Sequence, residues 1–423
     1  MTSWAIERFR LPNGLRVVLA PAHSTPVAGV AVVYDVGSRS EPEDRSGFAH
    51  LFEHLAFQGS LHFPKSAHAA LIQGAGGAFN ATTGLDHTEY HAAMPADGLA
   101  VALELEADRM RGLLLTEENL HNQVEVVAEE IRTNVLNKPY GGFPGTWLAP
   151  VLFDTFANAH DGYGSFEDLR AATLDDAADF FDRYYAPGNA VLCVTGDFAV
   201  DQVTSSVHEL FGGIPPRSVP ERPNFDEPGP ATTRHAQRHD RLAPLPAVAA
   251  ARRVPDPADL AAYLPFHVLA SVLRDGDRGR LFERLVRSEE LAVELTAGLG
   301  LGGDPFSARA PTAFVLSAIL PPGGDAGKVL AVADEEVDRL AHDGVTAEEL
   351  RRTRRRAATA FLRCCDGVAS RAVLMAVLEQ QRGDAGLAHR LPRLVEAVTG
   401  DDVSAAAAAL LSTPAAVLEV FPG

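Results

Sequence analysis

The chain opens on apolar runs of strand length. "LRVVLA" follows the turn "PNG" and "PVAGVAVVYDVG" supplies a second β-rich run, so the first 35 residues read as strands. Beyond them the apolar period lengthens to that of helices, in "AHLFEHLAFQGS" (49–60), the acid-laced "GLAVALELEADRMRGLLL" and "TEENLHNQVEVVAEEIRTNVL". In the last of these Thr116 is placed to cap, acids fill the first turn, and Leu120, Val124, Val127 and Ile131 form the apolar stripe. Another β run, "GNAVLCVTGDF", precedes the helical "DQVTSSVHELFGGI". Residues 215–235, containing "PPRSVPERPNFDEPGPATTR", are dense in proline and polar residues and read as a linker. The mixed texture then returns over 236–423, with strand signals at "PAVAAARRV", "TAFVLSAIL" and "AAVLEVF" separated by alanine- and arginine-rich helices. The expectation is an α+β protein of two similar domains, 1–214 and 236–423.

Length agrees with two domains, since 423 residues exceed the roughly 250–300 that one core organises. With 46% hydrophobic and 22% charged residues the composition is that of a globular protein. Acids outnumber bases 56 to 37, a formal charge of −19, which argues against nucleic acid or an anionic membrane as the main partner. Neither a signal-peptide pattern nor an apolar run of membrane-spanning length is seen, so a cytoplasmic location is expected by default. The three cysteines, Cys193, Cys364 and Cys365, lack zinc-knuckle or disulfide spacing and read as small buried residues.

Chemistry enters at "HLFEH". On a helix His50, Glu53 and His54 stand at i, i+3 and i+4, on about a third of the circumference, so both imidazoles reach one ion with a carboxylate beside them. A catalytic zinc takes three protein ligands, keeps a position for water, and needs a base nearby. The competing interpretation is a plain helix face with satisfied histidines. A third ligand decides between them, and the helix "TEENLHNQVEVVAEEIRTN" offers Glu125, Glu129 and Glu130. Periodicity does not choose between Glu129 and Glu130.

The segments "GSRSEPEDRSGFAHLFEHLAFQGS", "GGAFNATTGLDHTEYHAAMP", "NQVEVVAEEIRTNVLNKPYGGFP" and "GNAVLCVTGDF" resemble the pitrilysin-type zinc peptidases, the M16 or inverzincin family, in its bacterial branch similar to mitochondrial processing peptidase. The resemblance covers nearly all of the first 215 residues; the second half is similar mainly in length, texture and "GRLFERL". It implies two similar domains, each a mostly antiparallel sheet packed with helices, and one zinc per chain. It places the ligands on His50, His54 and Glu130 and the general base on Glu53. "FNATT" becomes an edge strand on which an extended peptide is laid, with Asn80 and Ala81 nearest the scissile bond. Without the resemblance, that stretch reads as a surface turn.

Two departures from the family pattern bear on function. Where members often carry a second acid seven residues before the third ligand, this chain has Gln123, which can orient a neighbour but cannot act as a base. The family's substrate-orienting arginine and tyrosine fall on Val286 and Val293; Arg287 stands one residue away, and no tyrosine is near. Valine cannot stabilise a developing oxyanion. The expectation is therefore the zinc-bearing half of a heterodimeric endopeptidase, acting on short or unfolded peptides in a chamber shared with a homologous subunit that supplies the missing pair. A homodimer using other residues and a non-catalytic scaffold are the alternatives.

Overall fold

The computed structural model describes residues 5–274, 276–301 and 305–423. These form two compact units, each built on one mixed sheet with helices. The first sheet has six strands: β1 (Glu7–Arg10), β2 (Arg16–Pro21), β3 (Val27–Tyr34), β4 (Ala78–Thr83), β5 (Thr88–Pro95) and β6 (Ala190–Gly196). Their order is β1-β2-β6-β3-β5-β4, antiparallel except for β2 against β6. The second has five: β7 (Arg234–Asp240), β8 (Ala247–Val254), β9 (Glu294–Leu299), β10 (Thr312–Ile319) and β11 (Ala415–Pro422). Here the order is β7-β11-β8-β10-β9, and only β7 with β11 is parallel. The expected α+β class of mostly antiparallel sheets packed with helices is what the chain adopts.

The central strands are apolar because both their faces are covered. β6 is buried along its whole length and β3 at all but its first residue. Among the helices of the first half are α1 (Phe48–Leu55), α2 (Ala67–Gly74), α3 (Leu99–Arg111), α4 (Glu117–Ile131) and α5 (Gly145–Leu152). The helix "GLAVALELEADRMR" predicted from its period is α3, which packs on β3 and β5.

The two units are not the two halves of the sequence. The first comprises residues 1–128, 161–223 and 361–390; the second comprises 129–160, 224–360 and 391–423. Each half lends a helix to the unit built mainly from the other. The helix Val368–Arg382 packs on β3, β6 and β5 of the first unit. There Gly29 of β3 permits a backbone-to-backbone approach: a Cβ on it would stand 2.6 Å from the carbonyl of Val368. In return α5 lays Leu148, Ala149 and Leu152 on a floor of Ala247, Ala249, Ala251, Ala313 and Ala416 in the second unit. Short side chains on the strands let the helix seat closely. Residues 215–230 have no regular structure, and β7 begins at Arg234, inside the segment expected to be linker.

Cys193 and Cys365 are buried as expected, but Cys364 is exposed, because it ends the polar side of the helix Ala347–Cys364. No described helix is long and apolar enough to cross a membrane.

Candidate metal centre

Helix α1 starts abruptly from Gly47, whose φ of +79° is in the left-handed region that glycine adopts without strain. A Cβ there would also meet the Tyr163 carbonyl oxygen at 2.3 Å. No residue beside the helix start caps it. Instead the buried Glu41 reaches in, its carboxylate accepting from Gly47 N at 2.8 Å and Ala49 N at 2.7 Å. An anion on unpaired N–H groups at a helix N-terminus is stabilising. Phe48, Ala49, Leu51, Phe52 and Leu55 form the buried side of α1, so His50, Glu53 and His54 fall on its partly exposed side.

The two imidazoles stand with centroids 4.9 Å apart and planes at 88°, and His50 packs edge-on against Tyr163 at 5.4 Å. Burial, with His54 beside it, lowers the pKa of His50 to about 4. Its ring is therefore neutral at pH 7, which is the form that ligates a metal.

Helix α4 approaches this pair as the sequence leads one to expect. Thr116 caps it, its Oγ1 accepting from Asn119 N at 3.1 Å, and Leu120, Val124, Val127 and Ile131 are buried. Glu129 turns outward to Arg132 at 3.0 Å, while Glu130 is half-buried. Although the boundary between the two units falls between Ala128 and Glu129, α4 is continuous through Ile131 and carries Glu130 with it. One ligand atom each from His50, His54 and Glu130 lies within 4.8 Å of the others. This is the one group of three or more histidine, cysteine or acidic side chains near enough to hold an ion among the described residues. Two imidazoles and a carboxylate suit zinc, and a spread of this size closes around one ion by side-chain rotation. After Glu130 the helix widens into a π-helical stretch, Arg132–Leu136, closed by Asn137 N donating to Arg132 O at 2.7 Å.

The other anticipated residues lie as follows. Gln123 is buried on the same side of α4 as Glu130. Among the described residues strand β4 is the last in its sheet, paired on one side only, with β5. On it Asn80 is exposed opposite His91, and Ala81 is buried opposite Tyr90. Val286 lies in the π-helical stretch Phe282–Ser288 and Val293 is exposed just before β9. Arg287 pairs with Glu283 at 3.4 Å and lies over the Phe282 ring. Three contributors were missed from the sequence: Glu41, Tyr163, and Thr83, whose hydroxyl donates to Glu53 Oε2 at 2.6 Å. Thr83 is the last residue of "FNATT", but only the strand's position beside α1 reveals its partner.

Residues 16–139 match the family described as Insulinase (Peptidase family M16), and residues 171–357 match one described as Peptidase M16 inactive domain. Over 261 residues the chain is 32% identical to Zinc protease PqqE of Helicobacter pylori, covering 59% of this chain and 56%, less than two thirds, of that protein. Over 357 residues it is 29% identical to an uncharacterized zinc protease, ML0855, of Mycobacterium leprae, covering 82% of this chain and 76% of the relative. The crystal structure of a protease from Helicobacter pylori superposes with a TM-score of 0.89 at 25% identity, over 99% of this chain and all of that one. With both domain types matched in order and the fold shared along its length, the chain belongs to peptidase family M16.

Proposed function

We propose that this chain is a zinc-dependent endopeptidase for short or unfolded peptides, in which His50, His54 and Glu130 hold the metal and Glu53 is the general base. The observation that carries the reading is the convergence of those three ligand atoms within 4.8 Å, with Glu53 next in sequence to a ligand. When bound, zinc supplies a Lewis acid that makes water acidic near neutral pH. Glu53 takes the proton of the attacking water and returns it to the leaving amine. The peptide lies along β4 as an added strand, held by backbone hydrogen bonds with little demand on its sequence, and Asn80 and Ala81 flank the scissile bond. Gln123 supports the ligand helix from behind.

Val286 and Val293 cannot donate to a developing oxyanion, so in this reading the donors come from a homologous partner subunit enclosing the peptide with this one. Co-purification with a homologue bearing the arginine and tyrosine, and a rise in activity on adding it, are the expected results. Full activity of the purified chain alone would favour a homodimer.

The decisive experiment is Glu53→Gln. Hydrolysis of an unfolded peptide falls by about 10²–10⁴-fold, the usual contribution of a general acid–base group, while one zinc per chain stays bound. His54→Ala loses both. Absence of zinc from the purified native chain would instead support a non-catalytic, peptide-binding scaffold.

A further inference from the structure

We propose that Thr83 is the positioning residue for Glu53, so that the strand offered to the peptide also orients the base; this rests on reading Glu53 as that base. Within the hairpin Thr83 stands opposite Thr88. Thr83 Oγ1 donates to Glu53 Oε2 at 2.6 Å, in the short range of a hydroxyl bonded to an ionised carboxylate. Thr88 Oγ1, 3.5 Å from Thr83 Oγ1, donates to the Val36 carbonyl at 2.9 Å. A hydroxyl has one proton to give. The Thr88 proton is committed to Val36, and the Thr83 proton to Glu53.

Two features make Thr83 a fixed point. Thr88 is fully buried, which anchors the hairpin end, and a β-branched threonine has a stiff χ1. The strand also alternates: Ala78, Asn80 and Thr82 are exposed, whereas Phe79, Ala81 and Thr83 are the covered set, and Phe79 packs against Phe57 just past α1 at 5.4 Å. Glu53 has a long side chain that rotates freely when nothing holds it. Through Thr83 its carboxylate is tied to the backbone of β4, whose outer side has no partner strand among the described residues. A peptide pairing with β4 is thereby brought into fixed relation with the group that takes the proton from its attacking water.

The test uses the full chain loaded with zinc. Thr83→Val keeps the shape and removes the donor, Thr83→Ser keeps the donor, and Thr83→Ala is a second donor-free variant should valine fold poorly. Thr83→Val lowers kcat about 10–100-fold with KM changed less than about twofold, the size of effect that a misplacement near 1 Å produces. One zinc per chain and the melting temperature are retained, and Thr83→Ser stays within about threefold of wild type. Crystal structures of the variants show the Glu53 carboxylate displaced in Thr83→Val and in place in Thr83→Ser. Wild-type kcat with Glu53 unmoved in Thr83→Val overturns the proposal, as does a loss in Thr83→Ser equal to that in valine. If the wild-type protein cleaves no peptide yet Thr83→Val still displaces Glu53, the endopeptidase reading falls while the positioning role stands.

Discussion

Glu129 and Glu130 are neighbours on α4 with opposite surroundings, because each step along a helix turns about 100°. Glu129 is spent on a surface pair with Arg132, of the kind worth at most about 1 kcal/mol. Glu130 faces the histidines. Glu129→Gln is therefore expected to leave zinc stoichiometry and melting temperature unchanged, and Glu130→Gln to lose the metal; metal analysis of both variants checks this. Another single residue sets a pH dependence. His68 accepts from the Arg109 guanidinium at 2.9 Å, and burial together with that cation lowers its pKa from 6.5 to about 2. The folded state keeps His68 neutral while the unfolded chain protonates it, so stability is full above 6.5 and declines as pH falls below it. His267, lowered by burial to about 4, acts in the same direction. Carboxylates held low by partners, such as Glu349 at about 2 beside Arg280, keep their stabilisation down to about 4.5 and lose it only below that pH. The metal-free protein is expected to melt at a lower temperature at pH 5 than at pH 7, and His68→Gln to shrink that difference; calorimetry at the two pH values decides it.

Elements differ in how openly their sequences announce them. β2, β3, β6, β8, β10 and β11 carry long apolar runs because neighbours cover them, and each was legible. β1 (ERFR) and β7 (RHAQRHD) are polar, because each is the outermost strand of its sheet and meets water, as edge strands commonly do. No apolar period marks such strands, so β7 was partly absorbed into the expected linker. The helices α3 and α4 were legible for a local reason: α3 shows its period, and α4 adds to its period a cap and first-turn acids within a few residues. The same rule explains which parts of the site were hidden. "HLFEH" sets two candidate ligands and an acid on one side of a helix by spacing alone, whereas choosing Glu130 needed the orientation of α4 or a family likeness. Glu41 caps α1 across a loop, and Thr83 meets Glu53 across a sheet edge, so neither contact follows from any local period. At this scale the tightest dependence is between β3 and the helix Val368–Arg382. Gly29→Ala forces a methyl into the Val368 backbone and is expected to destabilise the protein by about 1–3 kcal/mol, the usual cost of overpacking, measurable by denaturant titration.

At the scale of the whole molecule, the exchange of helices makes the connecting segment a poor place to divide the chain. A fragment of residues 1–223 keeps the strands of the first sheet but lacks the Val368–Arg382 helix that covers β3, β5 and β6, leaving apolar strand surface in water. It is expected to aggregate or to melt without a cooperative transition, and co-expression of 224–423 to restore a soluble, cooperatively melting pair. The exchange is not confined to the matched regions: these cover residues 16–139 and 171–357, and the helix Val368–Arg382 lies beyond both. It also bears on proteolysis. A protease that cuts once among the unstructured residues 215–230 severs the polypeptide without releasing either product, because each retains a helix buried in its counterpart. The nicked protein should elute from a sizing column as one particle and show two bands only after denaturation.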